Sequence, residues 1–162
     1  MSIDLVVANA SPLICLCRGG LEHVLAELWT RVAIPEVVWS EILAGPEADP
    51  AARLLPGARW VDRVRVDRVP PQIAGWDLGP GESEVLTFAL DHPGFRAIVD
   101  DGEARRCSRA LGIPVLGTGA VLVLAKRRGL IPSVTEALGA LKKSGLWISD
   151  EIQRLLLQRA GE

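Results

Sequence analysis

The chain has no tyrosine, one methionine, two histidines and three cysteines among its 162 residues. Each shortage closes off some chemistry. His23 and His92 show no H-x-x-x-H or H-E-x-x-H spacing, so a histidine-based hydrolase site is not encoded. An odd cysteine count without framework spacing argues against disulfides. The C-x-C of Cys15 and Cys17 has no second Cys or His pair with which to complete a tetrahedral zinc site. Buried apolar positions suit these thiols better. No apolar run approaches the roughly 18–20 residues that span a bilayer. The opening MSIDLVV carries an aspartate and lacks the basic start of a secretory signal. A cytoplasmic protein with no membrane partner is expected.

What is present describes a globular chain: 49% hydrophobic residues against 23% charged. The length suits one domain over 1–162 with room for a real core. Net charge is only −2, but its distribution is uneven. Residues 96–143 hold nine Lys/Arg against four Asp/Glu, a local +5, which leaves −7 for the rest. That asymmetry permits a basic face beside an acidic one, although solvated helix faces would give the same count.

The order of elements predicts strand and helix in alternation. Ile3–Ala8 reads as a buried strand, followed by helical stretches at Pro12–Cys17 and Leu21–Leu28. Arg31–Ile34 is a strand, and Pro35 suits the first position of a helix to Leu43. Residues 44–50 are turn-rich, 58–69 read as one half-exposed strand, and 70–81 as an irregular connection. Then come helix Glu82–Asp91, strand Ala97–Val99, helix Gly102–Leu111 ended by Gly112, strand Ile113–Leu116 and a helix from Gly117–Gly119 to Arg128. From about residue 131 a helical extension follows. Ser133 to Glu136 forms a capping box for a helix to Lys143, and Ser149 caps Asp150–Arg159, with Leu155 and Leu156 available to dock it.

Strands separated by helices imply an α/β fold, a central parallel sheet covered on both faces. Such sheets collect their chemistry beyond the C-terminal ends of the strands. There the sequence places Asn9 and Ser11 after the first strand, Asp100 and Asp101 after the fourth, and Thr118 after the fifth. Two helices add Glu41 and either Glu82 or Glu84. Carboxylates crowded together raise one another's pKa unless a cation lies among them. A hard divalent ion, Mg²⁺ or Mn²⁺, is the natural occupant. Bland readings stay open beside these: Asn9 as a turn former, Glu41 as a solvated helix residue, Glu82 as a first-turn acid, Asp101 as a helix cap and Thr118 as part of a turn. The GTGAVL segment copies half of a dinucleotide fingerprint, but Leu122 stands where the third glycine belongs.

The segments NASPLI, GPGESE, IVDDGEAR and GTGAVLVLAKRRGLI, in that order over residues 4–160, resemble a PIN-domain protein. The likeness is to the bacterial and archaeal subgroup with N-x-S-P-L-I at the first motif. It implies a PIN-like three-layer α/β/α sandwich and a Mg²⁺- or Mn²⁺-dependent ribonuclease acting on single-stranded RNA. Many such proteins are toxins held by an antitoxin protein, and pairing into a homodimer is common among them. By position, Asn9 and Ser11 fall on the first motif, Glu41 on the mid-helix acid, Glu82 or Glu84 on the third acid, Asp100 or Asp101 on the fourth, and Thr118 on the polar residue after the fifth strand. Glu41, Glu82, Asp100 and Asp101 are the implied metal ligands. Asn9 departs from the usual aspartate and keeps open a second reading, a PIN fold that binds RNA or protein without cutting. Arg105 and Lys126 follow the acidic segments and are candidates for phosphate contacts; Trp39 suits core packing better than base stacking.

Overall fold

A computed structural model describes residues 5–162, so Ile3 and Asp4 of the expected first strand lie outside the described residues. Five short parallel strands, β1 (Leu5–Ala8), β2 (Arg31–Pro35), β3 (Val61–Val64), β4 (Arg96–Ile98) and β5 (Val115–Leu116), form one sheet in the order β3-β2-β1-β4-β5. Val6, Val7, Ala8, Val32, Ala33 and Ile34 are all fully buried, as strands covered on both faces must be. The covering helices complete a three-layer α/β/α sandwich.

Chain direction across the sheet reverses at β1. From there β2 and β3 build outward on one side, β4 and β5 on the other. Connections leaving β1 and β4 therefore diverge and open a crevice beyond the strand ends. Asn9 follows β1, and its backbone N–H still donates to Ile98 O (3.1 Å), which ties the tip of β1 to β4. Asp100 leaves β4 beside it. The crevice is bordered by α1 (Ala10–Arg18), α3 (Glu36–Leu43), α6 (Pro80–Asp91) and α7 (Gly102–Leu111).

Several boundaries depart from expectation. Pro35 ends β2, paired with Val64, and precedes α3 instead of opening it; its extended ψ of 149° keeps it in the strand. The strand expected within 58–69 is realised only at Val61–Val64, because β3 is an edge strand with one neighbour to hold it. The connection 70–81 contains a single helical turn, α5 (Pro71–Ala74), and α6 begins at Pro80, two residues before Glu82. Proline suits that first turn because its missing N–H would have had no helical partner. Between α3 and β3 lies one more short helix, α4 (Pro50–Leu54), capped by Asp49, whose Oδ1 accepts from Ala51 N at 3.0 Å. The second helix, α2, runs Glu22–Leu28.

The C-terminal half follows its caps closely. Gly112 ends α7 in the left-handed region (φ 70°), where a side chain would be strained. After β5, α8 (Thr118–Arg127) is followed by α9 (Val134–Lys143) and α10 (Asp150–Ala160). Ser133 Oγ accepts from Glu136 N (3.1 Å), and Ser149 Oγ accepts from Ile152 N (3.2 Å). Of the two leucines expected to dock α10, Leu156 does so, reaching the space that Gly119 leaves on α8, while Leu155 stays 41% exposed.

Candidate active site at the sheet's C-terminal edge

Asn9 is 4% exposed, and its two amide atoms meet different fates. Nδ2 donates to Glu82 Oε1 at 3.0 Å, whereas Oδ1 is buried without a hydrogen-bond partner among the described residues. Buried acceptors seldom stay unpaired, so this oxygen is poised for a donor or a cation. Glu41 reaches the same point from α3. Gly81, in the first turn of α6, leaves the room: a Cβ there would lie 2.7 Å from Asn9 Oδ1 and 2.9 and 3.2 Å from the two Glu41 oxygens. The segment GPGE thus does three local jobs. Pro80 starts the helix, Gly81 admits the neighbouring side chains, and Glu82 enters the cluster.

Burial raises the Glu41 carboxyl above its ordinary range, and the nearby charges of Glu82 and then Glu84 add to the shift, with the Gly81 N–H pulling the other way. An acid with a raised folded pKa keeps a proton that the unfolded chain releases. Stability therefore falls as pH rises from the usual glutamate value of 4.5 through the raised one. Glu41→Gln is expected to melt higher than the native protein near neutral pH without metal, and level with it below about pH 4. Identical melting curves across that range would contradict the crowding.

The other wall holds the tandem acids, which have divided their work. Asp100 accepts from Thr118 N (2.8 Å) and from Thr118 Oγ1 (2.6 Å), so the fully buried Thr118 fixes one carboxylate orientation. Asp101 caps α7, accepting from Ala104 N at 2.9 Å. Asn9, Ser11, Glu41, Glu82, Asp100 and Asp101 all line one open cavity of about 710 Å³. Thr118 lies behind Asp100.

Glu84 is absent from that lining. Its carboxyl faces the start of α3, raised by burial and by Glu36 and stabilised by the Val37 N–H. Two residues along a helix separate the directions of Glu82 and Glu84, as helical geometry requires. Arg105 does not line the cavity either, but it comes close to Asp100: a Cβ on Gly117 would lie 2.7 Å from its Nη1 and 3.3 Å from Asp100 Oδ1. Lys126 does not. Eight residues beyond Thr118, about 12 Å along α8, it pairs with Glu162 Oε2 at 3.0 Å. Trp39 is 5% exposed with the Arg63 guanidinium 4.7 Å over its ring, so it packs in the core.

Some of the lining escaped sequence reasoning. Residues 144–147, between α9 and α10, close one side of the cavity, and Trp147 stands 85% exposed there. Its only sequence signal is an aromatic in a short link after Gly145. Gly81 could have been found as the glycine between Pro80 and Glu82, a helix position where glycine is otherwise costly.

A parallel α/β/α domain with acids gathered at its strand ends is an architecture that nucleases share with other enzymes. The family model described as DUF3368, a PIN domain, matches residues 5–162, and the chain belongs to the PIN-domain family. No curated protein and no solved structure matches it. No helix among the described residues is long and apolar enough to cross a membrane.

PIN domains generally use divalent metal ions. Among the described residues no three Asp, Glu, His or Cys side chains form a group close enough to hold one unaided. The donors present nevertheless suit a hard cation. They are all oxygens, one carboxyl has a raised pKa, and the free Asn9 Oδ1 faces that carboxyl. Mg²⁺ commonly takes one or two carboxylates and keeps several waters, which matches a sparse, open set.

Proposed function

We propose that the chain is a divalent-metal-dependent endoribonuclease acting on single-stranded RNA. The observation that carries this reading is the meeting of Glu41 and Asn9 Oδ1 around Gly81, beside the Glu82 carboxylate that Asn9 Nδ2 holds, in one cavity with Asp100. Glu41, Glu82 and Asn9 Oδ1 would hold Mg²⁺ or Mn²⁺ from one wall, with Asp100 and Asp101 facing them directly or through water. Such an ion would polarise a water for attack and neutralise charge on a phosphodiester. Thr118 holds the Asp100 carboxylate in one orientation, so no reorganisation is needed when substrate enters. Ser11, exposed at the start of α1, offers a hydroxyl to a phosphate oxygen. Arg105, beside Asp100, is placed to hold a neighbouring phosphate. The same reading takes in a homodimer and an antitoxin-like partner that covers the cavity.

One observation favours a second reading. The Asn9 amide already satisfies Glu82 without a cation, and it contributes no charge of its own. A PIN fold retained for binding RNA or protein would have this feature. Incubating the protein with mixed single-stranded RNA and Mg²⁺ or Mn²⁺ separates the two. Cleavage that stops with chelator and returns on adding metal is expected. Intact RNA under every metal condition, with binding retained, would overturn the nuclease reading in favour of the second.

A further inference from the structure

A second cavity, about 520 Å³, opens beside the acidic one and shares Asp100, Leu146 and Trp147 with it. Its character is different. Arg105, Arg106 and Arg109 enter from α7, and Arg159 faces them from α10. Arg105 and Arg109 are four residues apart, so they share a helix face about 6 Å from each other. A flexible single strand can meet that step with successive phosphates. Arg106 also pairs with Glu103, but both side chains are more than half exposed, and such a pair yields readily to a phosphate.

Trp147 stands between the two cavities on the short link joining α9 to α10. At 85% exposure it is the most exposed large hydrophobic side chain among the described residues. An indole ring held in water gains by covering one face, and a nucleobase does so whatever its identity. A cationic groove beside an aromatic ring on which a base can stack is what single-stranded nucleic acid binds.

The geometry points to a nucleotide-binding subsite in this second cavity, with a base of single-stranded RNA stacked on Trp147 and its phosphates held by Arg105 and Arg109. It rests on the reading of the acidic cavity as the place where the strand is cut, since the two share a wall. Arg105 is the hinge of the arrangement. Its guanidinium lies beside both Gly117 and Asp100, so a strand gripped there delivers its next phosphate to the acids. Charge favours RNA over a protein occupant: four guanidinium groups against the single carboxylate of Asp100 line the space. The exposed Ile152 and Leu155 at its edge would suit an apolar partner chain, which becomes the opposing outcome.

The test measures binding of a fluorescently labelled short oligouridylate, with chelator present so that nothing is cut. Native protein, Trp147→Ala, Trp147→Phe and Arg109→Glu are compared, each with its melting temperature recorded. Trp147→Ala is expected to weaken binding about tenfold, with Trp147→Phe recovering most of it and melting unchanged. Arg109→Glu should weaken binding at low salt and flatten its salt dependence. Affinities in Trp147→Ala and Arg109→Glu equal to native would overturn the subsite and leave the cavity to a protein partner. If the native protein cuts RNA in metal while Trp147→Ala binds like native, the subsite fails and the nuclease reading stands. If Trp147 and Arg109 govern binding but no metal supports cutting, the subsite stands and the nuclease reading fails.

Discussion

A methyl group at position 81 is expected to remove RNA cleavage while leaving the chain folded. The helix itself would welcome it, because alanine is favoured over glycine within a helix by about 1 kcal/mol. Gly81 is not among the residues with positive φ, so the backbone accepts a Cβ. The space does not. The methyl would meet Asn9 Oδ1 at 2.7 Å and Glu41 at 2.9 Å. Both side chains would have to move by a fraction of an ångström or more, and misplacement of that order costs about 10²-fold in rate. Cleavage, melting temperature and the shift in melting caused by Mg²⁺ should be recorded together. Expected are a loss of at least about 10²-fold in rate, a smaller Mg²⁺-induced shift and near-native melting without metal. Native rates in Gly81→Ala would mean that the meeting of Asn9 and Glu41 is not where the chemistry happens.

Asn9→Asp tests the departure at the first motif. Today the amide nitrogen donates to Glu82 and the amide oxygen is free. An aspartate would turn that donor into a second carboxylate oxygen about 3.0 Å from Glu82 Oε1. Without a cation the like charges repel, and the variant should melt below the native protein near neutral pH. With Mg²⁺ the balance reverses, since one more anionic ligand strengthens a site built of oxygens. The expected result is a larger Mg²⁺-dependent rise in melting temperature than native, with tighter binding of the ion. Equal Mg²⁺ dependence in both proteins would place the ion away from Asn9. Appearance of cleavage only in Asn9→Asp would identify the native chain as a binding protein.

Much of this was open to inspection in one dimension. β1 is a run of buried aliphatics, and strand propensity with burial on both faces needs no distant partner to be recognised. The acids at strand ends follow from the same reading, because in a parallel sheet the C-terminal ends all point one way. Local caps were equally legible: Ser133, Ser149 and Gly112 act within a few residues of themselves. Element ends were less so. Pro35 stayed in β2 because pairing with Val64 came from another strand, a term absent from local propensity.

The tertiary structure decided which of the polar residues meet. Glu82 and Glu84 have the same chemistry and nearly the same position, and only the packing of α6 against α3 sends one to the cavity and the other to Val37. Asp100 and Asp101 look interchangeable until Thr118, eighteen residues away, takes the first and the start of α7 takes the second. Arg105 and Lys126 read alike as basic residues after acidic segments. Yet α7 carries one to the side of Asp100, and α8 carries the other to Glu162. By itself the sequence determined the kinds of side chain and the edge of the sheet to which they belong, because short-range periodicity and caps set those. Distances between side chains on different elements were decided by how helices pack, and neither charge count nor spacing along the chain encodes that.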